Sequence, residues 1–194
     1  MRPSQASALP LFLRCRLRTL AAVLFLTGNP VLAADSPIKS IEVAFEGDAY
    51  ITNAVFQTSA PPNVAWDVLT DFDNLQKWVP NVTESKAVKR DENQVIVEQK
   101  GVARYGALRF PYTSQRKIEL KQPTNIKTMQ IKGSMKRVES TLLIEPEGKG
   151  TRIVYHLEIV PSFVAAGGMS KEFVEHEVRE QFTAIVGEMA RRVQ

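Results

Sequence analysis

The sequence predicts an α+β domain: a curved antiparallel β-sheet wrapped around a long C-terminal α-helix, with two short helices after the first long strand. Three observations carry this. An alternating, β-branched and aromatic stretch from Ala49 to Ser59 is halted by Pro61-Pro62. Further alternating stretches, separated by polar turn signals, fill residues 82–162. The chain then closes on a run whose apolar residues recur every three or four positions, from Phe173 to Val193.

The first 33 residues stand apart. Arg14, Arg16 and Arg18 precede a short apolar run, Leu20 to Leu26, which Gly28 and Pro30 interrupt before Val31-Leu32-Ala33. This is the pattern of a secretory signal peptide, and the run is far below the ~20 residues that a membrane span needs; the alternative is an uncleaved N-terminal anchor. Cleavage is expected after Ala33, leaving 34–194 as a single domain with a periplasmic or secreted location. Four of the 25 basic residues lie in the leader and none of the 21 acidic ones, so the remaining chain carries 21 of each. The net charge of +4 therefore belongs to the leader, and no nucleic-acid partner is expected. The one cysteine, Cys15, also lies there, which removes disulfides, thiol catalysis and thiolate metal sites from the domain.

Within the domain, Ile41, Val43 and Phe45 alternate as a short leading strand ahead of the long one. Val64, Val68, Leu69 and Phe72 then fall at helical spacing, and a second short turn starts at Asp73 and closes at Trp78-Val79-Pro80. Four or five strands are expected between Val82 and Ser162, with turns at 90–93, 122–125 and 147–150. Ser170 suits the N-cap of the closing helix, and Gly167-Gly168 permit the turn before it. The helix carries Phe173, Val174, Val178, Phe182, Ile185, Val186, Met189 and Val193 on one stripe, suited to covering the chain's own sheet.

The stretch DVLTDFDNLQKWVPNV (Asp67 to Val82) and the later GSMKRVESTLLIEPEGKGTRIVYHLEIVP (Gly133 to Pro161) resemble the START-like (SRPBCC) superfamily, in its polyketide cyclase/dehydrase and coenzyme Q-binding branch. The order of elements is similar along nearly the whole domain, as in an exported bacterial member. The resemblance implies a helix-grip fold that holds an apolar molecule between sheet and helix. The family often has an aromatic where Leu142 stands, which implies a roomier cavity there.

One side chain in two along each strand faces the helix. Counted by parity, the inward sets are Leu108, Phe110, Tyr112, Ser114, Arg116, Ile118 and Leu120; Met129, Ile131, Gly133 and Met135; Val138, Ser140, Leu142 and Ile144; and Ile153, Tyr155, Leu157 and Ile159. Either these residues fill a solid core or, as the resemblance implies, they line a cavity. The candidate ligand contacts are Trp78, Phe110, Tyr112, Arg116, Met129, Met135, Leu142, Tyr155, Phe163 and Phe173. Arg116 is the odd member, because an unpaired guanidinium is costly to bury. Either it reaches the rim, or with Tyr112 it meets an acidic or carbonyl group of the ligand.

No catalytic residue, metal site or cofactor is assigned. His156 reads outward and His176 lies off the helical stripe, and Glu98 and Glu139 also read outward. No phosphate-binding glycine loop, GxSxG elbow or HExxH pair is present. Gly101 and Gly106 mark a bulge or hairpin, and Asn81-Val82-Thr83 has the spelling of a glycosylation acceptor. The expected function is non-catalytic transport or sensing of a hydrophobic small molecule (a lipid, quinone or polyketide-like compound) by a monomer. The loop from Phe163 to Met169 reads either as a lid or membrane-touching tip, which would give a transient membrane contact, or as an ordinary connection between strand and helix. The alternatives are a cyclase/dehydratase-type enzyme, or an interaction module whose cavity is filled by Phe110, Met129 and Met135.

Overall fold

A computed structural model describes residues 36–162 and 169–194; the expected leader and Phe163 lie outside the described residues. Eight strands form one sheet, every neighbouring pair antiparallel, in the order β1-β2-β8-β7-β6-β5-β4-β3. They are β1 (Ile38–Glu46), β2 (Ala49–Thr58), β3 (Val82–Arg90), β4 (Gln94–Tyr105), β5 (Leu108–Lys121), β6 (Asn125–Gly133), β7 (Arg137–Glu147) and β8 (Gly150–Val160). The stretch after Val82 thus holds six strands where four or five were expected. The extra division is a hairpin tip at Gly106, whose φ of +57° lies in the left-handed region that favours glycine.

The two prolines act at once as strand stop and helix start. Helix α1 (Pro62–Leu69) has Pro62 in its first turn, where the missing N–H costs nothing, and the Pro61 carbonyl takes the Ala65 N–H at 3.1 Å. A 3₁₀ turn (Phe72–Lys77) follows and ends where the Trp78 N–H reaches the Leu75 carbonyl. Helix α2 (Lys171–Arg192) closes the chain, its first turn capped by the Ser170 hydroxyl, which accepts the Phe173 N–H at 3.2 Å.

Helix α2 packs against β1 and β2 on one side of the sheet and β4 on the other, so the sheet curls around it. The stripe is as expected except for Val193, which is exposed. Phe182 stacks on the fully buried Phe56 with ring centroids 3.9 Å apart, and Tyr155 tilts against Phe182 at 4.8 Å. Each such ring contributes about 1.5–3 kcal/mol by leaving water.

The far end of α2 is fastened by charge. Glu188, buried, accepts from Arg191 and Arg192, and Arg192 also reaches Asp71 at 2.6 Å just before the 3₁₀ turn. This fixes α2 over the concave face and leaves the space beneath its first half as the place for a site.

Candidate functional site

Two small chambers lie between the sheet and α2. The outer one, about 140 Å³, is bounded by β4, β5, β7, β8 and the first turns of α2. The inner one, about 130 Å³, lies deeper, under α1 and the middle of α2. Tyr112, Arg116, Ser140, Tyr155 and Gln181 line both, so a polar partition divides the interior. Together the chambers fall just short of the ~300 Å³ at which ordinary ligand pockets begin. Movement of the partition side chains would merge them. A larger groove of about 570 Å³ opens beside β3, β4 and β5, but Lys86, Glu98, Lys100 and Lys132 line it and leave a ligand in water. It backs onto the chambers through Gln99 and Ser114.

Of the expected contacts, Tyr112, Arg116 and Tyr155 face both chambers, Met135 and Phe173 the outer, and Leu142 the inner. Phe110 packs behind Phe173, ring centroids 5.2 Å apart, and lines neither. Two expectations are corrected. Met129 stands on the outer face and is 48% exposed, and Ile131, two residues on, is 54% exposed. The inward positions of β6 are Ile126, Thr128 and Gln130, so beyond Ile126 the polar residues face in, the apolar Met129 and Ile131 face solvent, and parity reads backwards. Trp78 lines neither chamber; it lies near the C-terminal end of α2, with the Arg192 guanidinium 5.1 Å above its ring. Val79 points into the inner chamber in its place.

Arg116 does not leave for the rim. Half-buried at the partition, it donates from Nε to the Ser114 hydroxyl at 2.9 Å and joins no ion pair among the described residues. Burial raises the pKa of both Tyr112 and Tyr155, against the lowering effect of nearby Arg116, so both remain neutral phenols. The Tyr112 ring crosses Gly101 on β4. A Cβ there would come within 2.5 Å of that ring and 2.1 Å of the Asn81 carbonyl, so glycine is what lets the tyrosine lie flat. The Tyr112 hydroxyl reaches that same carbonyl at 3.3 Å.

The residue that sequence reasoning missed is Glu177. It lies on α2, is 7% exposed, and lines the outer chamber. Its carboxylate accepts from the Asn81 side-chain amide at 2.5 Å and from the Arg104 backbone N–H at 2.9 Å. Burial raises its pKa, against the two hydrogen bonds that lower it. Neighbouring Glu180 adds a small raising effect and His176 a small lowering one. An inward carboxyl therefore exists, contrary to expectation. Its signal was in the sequence: position 177 is four residues after Phe173 and three after Val174, on the buried stripe. Asn81 is 1% exposed and committed to this contact, so the glycosylation spelling there marks a buried residue.

His176, Glu177 and Glu180 bring one ligand atom each within 4.8 Å of one another. Both Glu177 oxygens already accept hydrogen bonds and His176 is exposed against Tyr105, so no metal is assigned to them. His156 faces outward and meets the Asn53 side chain at 2.8 Å.

A curved sheet gripping a long helix around a partly polar cavity defines a ligand-enclosing START-like fold. Residues 52–194 match the model of the polyketide cyclase / dehydrase and lipid transport family, and the chain belongs to that family. A START superfamily protein from Mycobacterium smegmatis superposes with a TM-score of 0.63 at 15% identity, over 73% of this chain and 97% of that one. The Zhui aromatase/cyclase from Streptomyces sp. R1128 gives 0.64 at 16% identity, over 75% and 96%. A STAR-related lipid transfer protein from Xanthomonas axonopodis gives 0.56 at 12%, over 77% and 98%. At these identities the likeness establishes the fold alone. No curated protein matches the chain.

Proposed function

We propose that the protein binds a small hydrophobic molecule between sheet and helix and carries or senses it without transforming it. The single observation behind this reading is the pair of partly open chambers between sheet and helix, the outer one mainly apolar, sharing one polar partition. A greasy ligand would lose its water there, while Arg116 and Tyr112 receive an acidic or carbonyl group. Lipid transport is part of the family's name and lipid transfer part of that of the structurally similar Xanthomonas protein, which supports a lipid-like ligand; a quinone or polyketide-like compound suits the same lining. Export through residues 1–33 and action as a monomer outside the cytoplasmic membrane belong to the same proposal.

A membrane contact fits one end of the sheet. The strand registers bring the β1–β2 and β4–β5 turns to that end, where Phe45 is 53% and Leu108 45% exposed. Met169, which lines the outer chamber, is tied to this end through the Tyr50 hydroxyl at 2.8 Å.

The cyclase/dehydratase reading gains from Glu177, which supplies the inward acid that such chemistry requires. The filled-cavity reading loses Met129, which lies outside the core. The test is to purify the chain from a bacterial host without detergent, then apply native mass spectrometry and organic extraction. A stoichiometric apolar compound released unchanged supports a carrier. A bare mass, with no thermal shift from quinones, fatty acids or phospholipids, counts against it, and a released compound altered by the protein would establish an enzyme.

A further inference from the structure

An unpaired guanidinium and an unpaired carboxyl share the outer chamber without touching. Arg116 bonds only to the Ser114 hydroxyl, and Glu177 only to an amide and a backbone N–H; neither joins an ion pair among the described residues. Holding a buried carboxyl and a half-buried guanidinium apart is costly. If folding were the only demand, apolar residues of similar size would serve the chamber better. Both groups keep unused capacity. Each carboxylate oxygen of Glu177 has a second lone pair, and the Arg116 guanidinium has donors beyond Nε. Tyr112 feels the charge of both, which puts the phenol within range of each.

We infer that Glu177 is a specificity determinant, accepting a hydroxyl of a bound amphiphile whose carbonyl or carboxyl end is held by Arg116. The ligand class is then a small hydroxylated carbonyl compound with an apolar tail. A hydroxyl suits this group better than an ammonium, because burial favours the uncharged form of Glu177. The inference rests on the ligand-binding reading above and adds to it the chemistry that selects the ligand. Sites built to hold a hydroxyl reject analogues that lack it, since the buried polar partner is then left empty.

The test uses the full chain and displacement of the neutral fluorophore N-phenyl-1-naphthylamine by octanoate and by 3-hydroxyoctanoate. The expected result is that both displace it and the hydroxylated acid does so about 10-fold more tightly or better. Glu177→Met is expected to abolish that margin and Glu177→Gln, which keeps an acceptor oxygen, to retain most of it. Arg116→Met is expected to weaken both acids together. Should Glu177→Met fail to fold, infrared difference spectra serve instead. A carboxyl band that Glu177→Gln removes must shift with 3-hydroxyoctanoate and stay still with octanoate. Equal displacement by both acids, or a static band, overturns the inference and leaves the binding reading standing. No fluorophore binding and no displacement overturn both.

Discussion

The Glu177 carboxyl accepts a hydrogen bond from the buried Asn81 amide at 2.5 Å, joining the first half of α2 to the corner that precedes β3. Asn81 also presents its backbone carbonyl to Tyr112 and to the Val102 N–H, so one residue organises the wall of the outer chamber. Asn81→Ala is expected to cost about 1–3 kcal/mol, read as a lowered urea midpoint, because it strips one partner from a buried carboxyl. Asn81→Asp should be worse at pH 8 than at pH 5, since two carboxyls in contact resist joint ionisation. Equal loss at both pH values would mean that solvent reaches this contact.

Glu177 gives stability a pH dependence of unusual sign for a carboxyl. Its folded pKa is raised by burial, so the native state holds the proton more tightly than the unfolded chain. Its contribution is therefore fully present below the unfolded value, near 4.5, and is lost as pH rises through the higher folded value. Glu177→Gln should raise the melting temperature at pH 8 and have less effect at pH 4.5. The amide substitution keeps the hydrogen bonds, because Asn81 can turn over and offer its Oδ1, which is buried without a partner among the described residues. A uniform change across pH would show that the carboxyl is not desolvated.

The architecture was legible because its signals are redundant. Pro61-Pro62, the turn signals and the helical stripe each mark a boundary on their own, and the register of one strand constrains the next. The site was legible only where polarity and parity agree. Tyr112, Arg116 and Tyr155 lie on strands whose apolar residues face in. On β6 the apolar Met129 and Ile131 face out and the polar Thr128 and Gln130 face in, and no single-strand pattern reveals such an inversion. Trp78 was misplaced for a different reason. Trp78 and Val79 follow the end of the 3₁₀ turn, where no helical or strand period says which side chain faces in, and the residue that turned inward was Val79. Glu177 was passed over because charge was taken to mean solvent, although its spacing put it on the buried stripe.

Glu188 behaves oppositely to Glu177. Its pKa is lowered to about 2, first by its hydrogen bond to Arg191 and, after the opposing effect of burial, by Arg192. Stability from this fastening is present above the unfolded value near 4.5 and is lost as pH falls toward 2. Glu188→Gln should cost about 2 kcal/mol at pH 7 and flatten the acid limb of the stability curve. Because Arg192 also holds Asp71 and covers Trp78, the loss should appear as increased hydrogen exchange at the C-terminal end of α2 before global unfolding. An unchanged acid limb would show that Arg191 and Arg192 stay solvated and contribute little.

Truncations on either side of the cavity wall separate a cavity from a solid core. Phe56 is fully buried and stacked on Phe182, and it lines neither chamber. Phe56→Ala should cost about 3–5 kcal/mol and leave fluorophore affinity per folded molecule unchanged. Leu142 already borders an empty space of about 130 Å³. Its side chain lacks part of the contact shell of a true core residue, so Leu142→Ala should fall near the bottom of the ~2–5 kcal/mol range. The same change enlarges the inner chamber and should shift preference toward longer-chain acids in the displacement assay. A cost for Leu142→Ala near the top of that range, with no change in chain-length preference, would mean that the space closes in solution and that the partition does not open.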